Sequence, residues 1–202
     1  MHPTLLACFT ARADSRALRL AERAGSVAFV TVLTIVAAQV SIPLPFTPVP
    51  FTFQPMIVLL GGAVLGSRLG MTSQIAYLAL GLAGLPVFAA SPGLPAGLAR
   101  LLGPTGGYLL SYPLAAFVAG WLAERGFDRR YFTSVIAMAC GLAVVFAGGV
   151  AWLSVVWSRG LANAIAVGFM PFVAADALKL LVAAGCMPAL WWLADRPKTS
   201  KN

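Results

Sequence analysis

The chain has 202 residues, of which 60% are hydrophobic and only 10% charged, with 14 Lys and Arg against 6 Asp and Glu for a formal net charge of +8. So small a charged fraction, against roughly 25% in soluble domains, together with a mean hydropathy of +0.89, excludes a soluble enzyme or binding module and leaves an integral membrane protein. The cations are scattered between long apolar runs instead of forming one patch, which excludes a nucleic-acid surface and marks them as loop residues that set topology.

A membrane helix needs about 20 apolar residues, and the uncharged intervals supply six such spans in a single domain. Arg12, Arg16, Arg19 and Arg23 lead into the first span, at about 24–42. Basic residues before an apolar run also describe a secretory signal peptide. Its removal would leave five spans and invert the charge balance, so residues 17–23 read as a cytoplasmic extension of helix one. Spans two and three share residues 53–85, parted by Arg68 and Gly70, and each is short. The fourth lies between Arg100 and Glu124, the fifth between Arg130 and Arg159, and the sixth at about 168–193.

Cytoplasmic loops carry the excess of Arg and Lys. On this map Arg12, Arg16, Arg19, Arg23, Arg68, Arg125, Arg129, Arg130, Arg196, Lys198 and Lys201 share one side, while Arg100 and Arg159 lie on the other and Lys179 lies within the bilayer. The expectation is an all-α six-helix bundle of the cell (inner) membrane with both termini cytoplasmic. Residues 1–23 form an amino-terminal segment, 24–193 the bundle and 194–202 a tail.

The outer loops are rich in proline, glycine and aromatics. Pro43, Pro45, Pro48 and Pro50 forbid helix between spans one and two and favour a stiff extended path that can fold over a cavity. Between spans three and four, residues 84–93 lead through 103–108 into the next helix, with glycines that permit close approach of backbone to a ligand. Non-helical backbone at membrane depth needs protein or a water-filled cavity to satisfy it, so these loops are expected to cap an outward-facing pocket.

Asp176 and Lys179 lie one turn apart, on one helix face, in an otherwise apolar stretch at 160–194. An ionised side chain at the centre of a membrane helix costs about 2.5 to 3.5 kcal/mol, so the pair marks a binding site unless it is a self-neutralising salt bridge that fixes helix six. Gln74 and Tyr77 on span three are further candidates, as ligand contacts or as interhelical hydrogen bonds. Phe53, Phe88 and Tyr108 are candidate apolar walls, whereas Trp152, Trp157, Trp191 and Trp192 suit aromatic belts at the membrane surface. Arg100 is a candidate for an anionic group, or a topological cation.

The inventory of reactive groups is short. His2 is the one histidine, and Cys8, Cys140 and Cys186 are widely separated, so neither a His-based triad, a metal site nor a disulfide framework is expected, and no cofactor is called for. No phosphate-binding Gly-x-x-x-x-Gly-Lys-Ser/Thr loop occurs, so any energy for transport must come from another subunit. Gly62, Gly66 and Gly70, like Ala24 and Ala28, recur at four-residue spacing and make flat faces for close helix contact, within the bundle or with a membrane partner.

Five segments in order, Pro48-Val-Pro-Phe-Thr-Phe-Gln54, Leu59-Leu-Gly-Gly-Ala-Val-Leu-Gly66, Gly81-Leu-Ala-Gly-Leu-Pro-Val-Phe88, Gly103-Pro-Thr-Gly-Gly-Tyr108 and Asp176-Ala-Leu-Lys179, resemble the BioY family of biotin transport proteins. The resemblance covers most of the chain. It implies the substrate-binding (S) component of an energy-coupling-factor (ECF) transporter, which captures biotin on its outer face and works with an EcfT-like coupling subunit and two cytoplasmic ABC-type ATPases. It also implies that Ala24 and Ala28 touch the coupling subunit, although Val32 follows where a further small residue would extend the pattern. Self-association of the chain is left open.

Biotin suits these residues: Asp176 can accept its ureido N–H groups, Lys179 can donate to the ureido oxygen or pair with Asp176, and Arg100 can receive the carboxylate. Another vitamin, such as thiamine or riboflavin, is the nearest rival, followed by a channel or an intramembrane enzyme.

Overall fold

The computed structural model describes residues 4–6, 15–90, 97–157 and 160–194, the side chains of 193 and 194 excepted. The expectations placed on His2, Cys8, Arg12, Arg159, Arg196, Lys198 and Lys201, on residues 91–93 and on the tail beyond 194 lie outside the described residues. In chain order the elements are α1 (Arg16–Gln39), β1 (Ser41–Ile42), β2 (Phe51–Thr52), α2 (Gln54–Leu65), α3 (Ser67–Leu82), α4 (Leu98–Leu101), α5 (Gly106–Ala123), α6 (Tyr131–Val156), α7 (Leu161–Gly168) and α8 (Val173–Ala194).

Among the described residues four helices, α1, α5, α6 and α8, are long and apolar enough to cross a membrane. The other two expected spans are shorter, α2 with 12 residues and α3 with 16. At 1.5 Å per residue α2 covers about 18 Å, against about 30 Å of hydrocarbon. α1 begins earlier than the apolar run, at Arg16, because the Ser15 hydroxyl accepts from the Leu18 amide at 3.0 Å and caps it. Residues 17–23 are therefore helical, as expected.

Three boundaries differ from the sequence reading. α1 ends at Gln39, and Ile42 belongs to a small antiparallel hairpin in which Ser41 pairs with Thr52 and Ile42 with Phe51. The proline-rich segment is the tip of that hairpin. The break between spans two and three falls at Gly66, which has φ of +86°, a conformation that side chains with a Cβ rarely adopt; Arg68 and Gly70 lie in the first turn of α3. The last helix, α8, starts at Val173, later than the expected 168, because the chain turns through residues 169–172 after the separate short helix α7.

The Gly66 turn is buttressed from α5. Glu124 Oε1 accepts hydrogen bonds from the Ser67 amide at 2.8 Å and the Ser67 hydroxyl at 2.9 Å, satisfying an amide that the start of α3 would otherwise leave open. A Cβ on Gly70 would lie 2.7 Å from Gly62 Cα, and one on Gly120 would lie 2.5 Å from the Gly66 carbonyl carbon and the Ser67 nitrogen. Gly62, Gly66 and Gly70 thus pack inside the bundle against α5, which settles their alternatives in favour of internal contact.

The helices alternate so that two ends of the bundle are distinct. One carries the start of α1, the Gly66 turn, the 124–130 connection and the end of α8; there Trp191 Nε1 donates to the buried Asp128 Oδ2 at 2.7 Å. The other carries the hairpin, the segment after α3, α4 and α7, and there the Thr47 hydroxyl donates to the Val167 carbonyl at 2.6 Å. Trp191 and Trp152 depart from the belt expectation, since Trp152 Nε1 also makes an internal bond, to the Gly103 carbonyl at 2.9 Å. A buried indole N–H requires such a partner. Trp157 and Trp192 are exposed.

Two alanine substitutions separate close packing from helix propensity. Gly62→Ala would press its methyl into the Ala116 backbone and is expected to destabilise by about 1–3 kcal/mol, whereas the open Gly25→Ala gains up to about 1 kcal/mol. Thermal unfolding in detergent should therefore move in opposite directions for the two.

Candidate ligand-binding site

The first two turns of α8 carry the ionisable pair. Asp176, whose amide donates to the Phe172 carbonyl at 2.8 Å, sits at the helix amino terminus, where backbone dipoles favour a carboxylate. One turn on, Lys179 Nζ donates to Asp176 Oδ1 at 2.7 Å and to the Thr52 carbonyl at 2.6 Å, and lies 3.5 Å from the centre of the Phe51 ring. Asp176 is 6% exposed and Lys179 8%, so both charges are removed from solvent and are neutralised by each other. The ammonium also joins α8 to the hairpin. Desolvation of the two ions is offset only because a carboxylate, a carbonyl and an aromatic face surround the lysine.

A narrow cavity with about 600 Å³ of empty space, the part at its mouth included, opens beside this pair. The hairpin contributes Val49, Pro50 and Thr52, the start of α2 contributes Gln54 and Pro55, and the segment after α3 contributes Phe88 and Ala89. Arg100 of α4, then Thr105, Tyr108, Leu109 and Tyr112, Val145 and Phe146 of α6, and finally Phe172, Asp176 and Lys179 complete it. The lining is mostly apolar, with cations and a carboxylate at a few positions.

Arg100 is 8% exposed and its Nη1 donates to the Ala89 carbonyl at 2.8 Å, so α4 and the Phe88 segment are held together at the cavity wall. Burial draws its pKa below the ordinary guanidinium value, yet a guanidinium stays charged in a protein. Tyr108 donates to the Gly168 carbonyl at 2.7 Å and fixes the α7–α8 turn against α5. Its ring lies where a Cβ on Gly149 would be.

A family model described as the BioY family matches residues 11–196. The chain belongs to the BioY family. The biotin transporter BioY of Thermotoga maritima is 44% identical over 155 residues, which are 76% of this chain and 86% of that protein. The probable biotin transporter BioY of Pyrococcus horikoshii is 40% identical over 163 residues, covering 81% and 92%. Among solved structures, the S-component for biotin from an ECF-type ABC transporter matches with a TM-score of 0.78 and 28% identity, over 89% of this chain and 95% of that one.

In this BioY-family chain the fold brings Asp176, Lys179, Arg100, Phe88 and Tyr108 to one cavity. It does not bring Gln74, Tyr77 or Phe53 to it. Gln74 is fully buried and its Nε2 donates to Thr34 and Ser73, at 3.3 and 3.1 Å. Tyr77, equally buried, accepts from Gln54 Nε2 at 2.6 Å. Both side chains therefore make interhelical bonds. Phe53 is half exposed and packs edge-on to Phe51, its ring centre 5.4 Å from Lys179 Nζ. Ala24 and Ala28 are exposed on α1, away from the cavity.

Sequence reasoning missed Gln54, Tyr112, Phe146 and Phe172 as lining residues. Tyr112 lies one turn after Tyr108 on α5, and Gln54 ends the proline-rich segment at the start of a helix, so spacing and position were signals for those two. Phe146 and Phe172 sit in apolar runs and carried none.

The ion pair predicts its own stability cycle. Lys179→Met leaves a buried carboxylate without its partner and is expected to cost about 3 kcal/mol, whereas Asp176→Asn with Lys179→Met recovers most of that loss. Unfolding of the four members of the cycle in detergent measures the coupling; additive losses would contradict it.

Proposed function

We propose that this chain is the biotin-capturing S component of an ECF-type uptake transporter, with the cavity beside Asp176 and Lys179 as its site. The observation that carries the reading is a buried carboxylate and ammonium on the wall of an otherwise apolar pocket, in a BioY-family chain. The ureido group of biotin presents two N–H donors and one carbonyl acceptor. Asp176 accepts from an N–H of the ureido group while Lys179 donates to the carbonyl, and both bonds are charge-assisted. Phe88, Tyr108, Phe146 and Phe172 enclose the bicyclic body, and Arg100 takes the valerate carboxylate. Two cations in the lining also disfavour a cationic ligand such as thiamine.

The hairpin end of the bundle faces outward in this reading, because Arg16, Arg19, Arg23, Arg68, Arg125, Arg129 and Arg130 all lie at the other end, which the positive-inside rule places in the cytoplasm. The two short helices α2 and α3 complete a six-helix bundle, and both termini are cytoplasmic. The chain carries the ligand and takes its energy from partners: an EcfT-like coupling subunit, met through the exposed Ala24 and Ala28 of α1, and two cytoplasmic ABC-type ATPases.

Calorimetry on purified protein tests the ligand. Biotin is expected to bind with one site and thiamine and riboflavin to give no heat; Asp176→Asn stays folded and loses roughly 100-fold in biotin affinity, as expected for a charge-assisted bond of about 3 kcal/mol. Full affinity in that variant defeats the site assignment. Orientation is tested separately: a cysteine placed at the exposed Phe46, in a background without Cys8, Cys140 and Cys186, should react with a membrane-impermeant maleimide added to intact cells. Reaction only after the cells are opened would reverse the topology.

A further inference from the structure

Tyr77 has no contact with the cavity, yet it touches two of the segments that build it. Its oxygen accepts from Gln54 Nε2 at 2.6 Å and its proton goes to the Val87 carbonyl at 3.3 Å. Its ring meets Phe88 edge-on with centroids 5.4 Å apart. Gln54 and Phe88 both line the cavity. The residue is completely buried, so the phenol works only through these neighbours.

Proton accounting gives this arrangement a direction. A phenol has one proton, and a backbone carbonyl can only accept, so the contact with Val87 uses that proton. The phenol oxygen is then left as an acceptor and selects the NH₂ end of the Gln54 amide over its carbonyl end. The two ends of a glutamine amide are nearly equal in size and shape, so hydrogen bonding decides which way it is turned. With Nε2 committed to Tyr77, Oε1 is the end of the Gln54 amide left for a ligand.

We propose that Gln54 Oε1 is a further hydrogen-bond acceptor for the ligand's polar head, and that Tyr77 is the positioning residue that keeps this oxygen, and not the amide nitrogen, turned to the cavity. The inference rests on the biotin reading and deepens it: Asp176 takes one ureido N–H and Gln54 takes the other. A site built this way selects heads with two adjacent N–H donors. It rejects analogues in which one is missing, because a buried acceptor is then left unpaired.

The test uses the full chain in detergent, calorimetry, and three probes: biotin and two analogues, each methylated at one ureido nitrogen. Tyr77→Phe keeps the ring and its contact with Phe88. It is expected to weaken biotin about 10-fold, the order of one hydrogen bond, and to reduce discrimination against one analogue by a similar factor while leaving discrimination against the other unchanged. Adding Tyr77→Phe to Gln54→Leu should have no further effect, since the phenol acts through the amide.

An equal loss for all three probes would mean a structural role only and overturn the proposal, as would unchanged affinity or additive effects in the double variant. Gln54→Leu carries the same comparison without touching the phenol, and full discrimination in that variant also overturns it. If the unaltered chain fails to bind biotin, the functional reading falls and this inference with it. If the unaltered chain binds and Tyr77→Phe discriminates as before, only this inference falls.

Discussion

A lysine ammonium at membrane depth must be neutralised where it stands, and much of the hairpin end of this protein is arranged around that requirement. Lys179 meets it with three different groups: a carboxylate on its own helix, the main-chain carbonyl of Thr52 and the ring of Phe51. Only the first is local. The other two oblige the hairpin to lie across the start of α8, which forms one wall of the cavity. The hairpin is in turn held from its far side by Thr47 on Val167. A short, proline-stiffened ribbon with two paired residues per strand would not hold its place alone. It does so because a buried charge needs its carbonyl.

The opposite end depends on a different constraint, the closeness of backbones. α2, α3 and α5 meet where Gly62, Gly70 and Gly120 leave no space for a side chain, and a single carboxylate from the end of α5 supplies the cap that α3 lacks. In a membrane, where no hydrophobic gain separates helix from lipid, such tight contact and the hydrogen bond it protects are what association rests on. Rigidity there leaves the short helices α2 and α3 fixed at one end, so their other ends can present Gln54 and Tyr77 to each other with a 2.6 Å bond.

How far the sequence reveals all this varies with the kind of signal. The long helices α1, α5, α6 and α8 were legible because hydropathy and the placement of Arg and Lys follow directly from the solvent on either side. The turn between α7 and α8 was not, since residues 160–194 are apolar throughout but for the pair and hide a change of direction. The break at Gly66 depends on a positive φ, and in a run containing four glycines within ten residues at 61–70 the sequence does not say which of them adopts it. Asp176, Lys179 and Arg100 stood out by charge and do line the cavity. Gln74 and Tyr77 looked equally suitable, but polarity in a membrane helix identifies a need for partners, and here the partners are Thr34, Ser73 and Gln54.

The bond from Lys179 to Thr52 runs to the main chain, so it persists whatever side chain occupies position 52. An ammonium has three N–H donors, and the bonds to Asp176 and Thr52 use two of them, so a guest can engage Lys179 without displacing either. The wall of the cavity is thereby set in advance, and the cost of ordering it does not fall on binding.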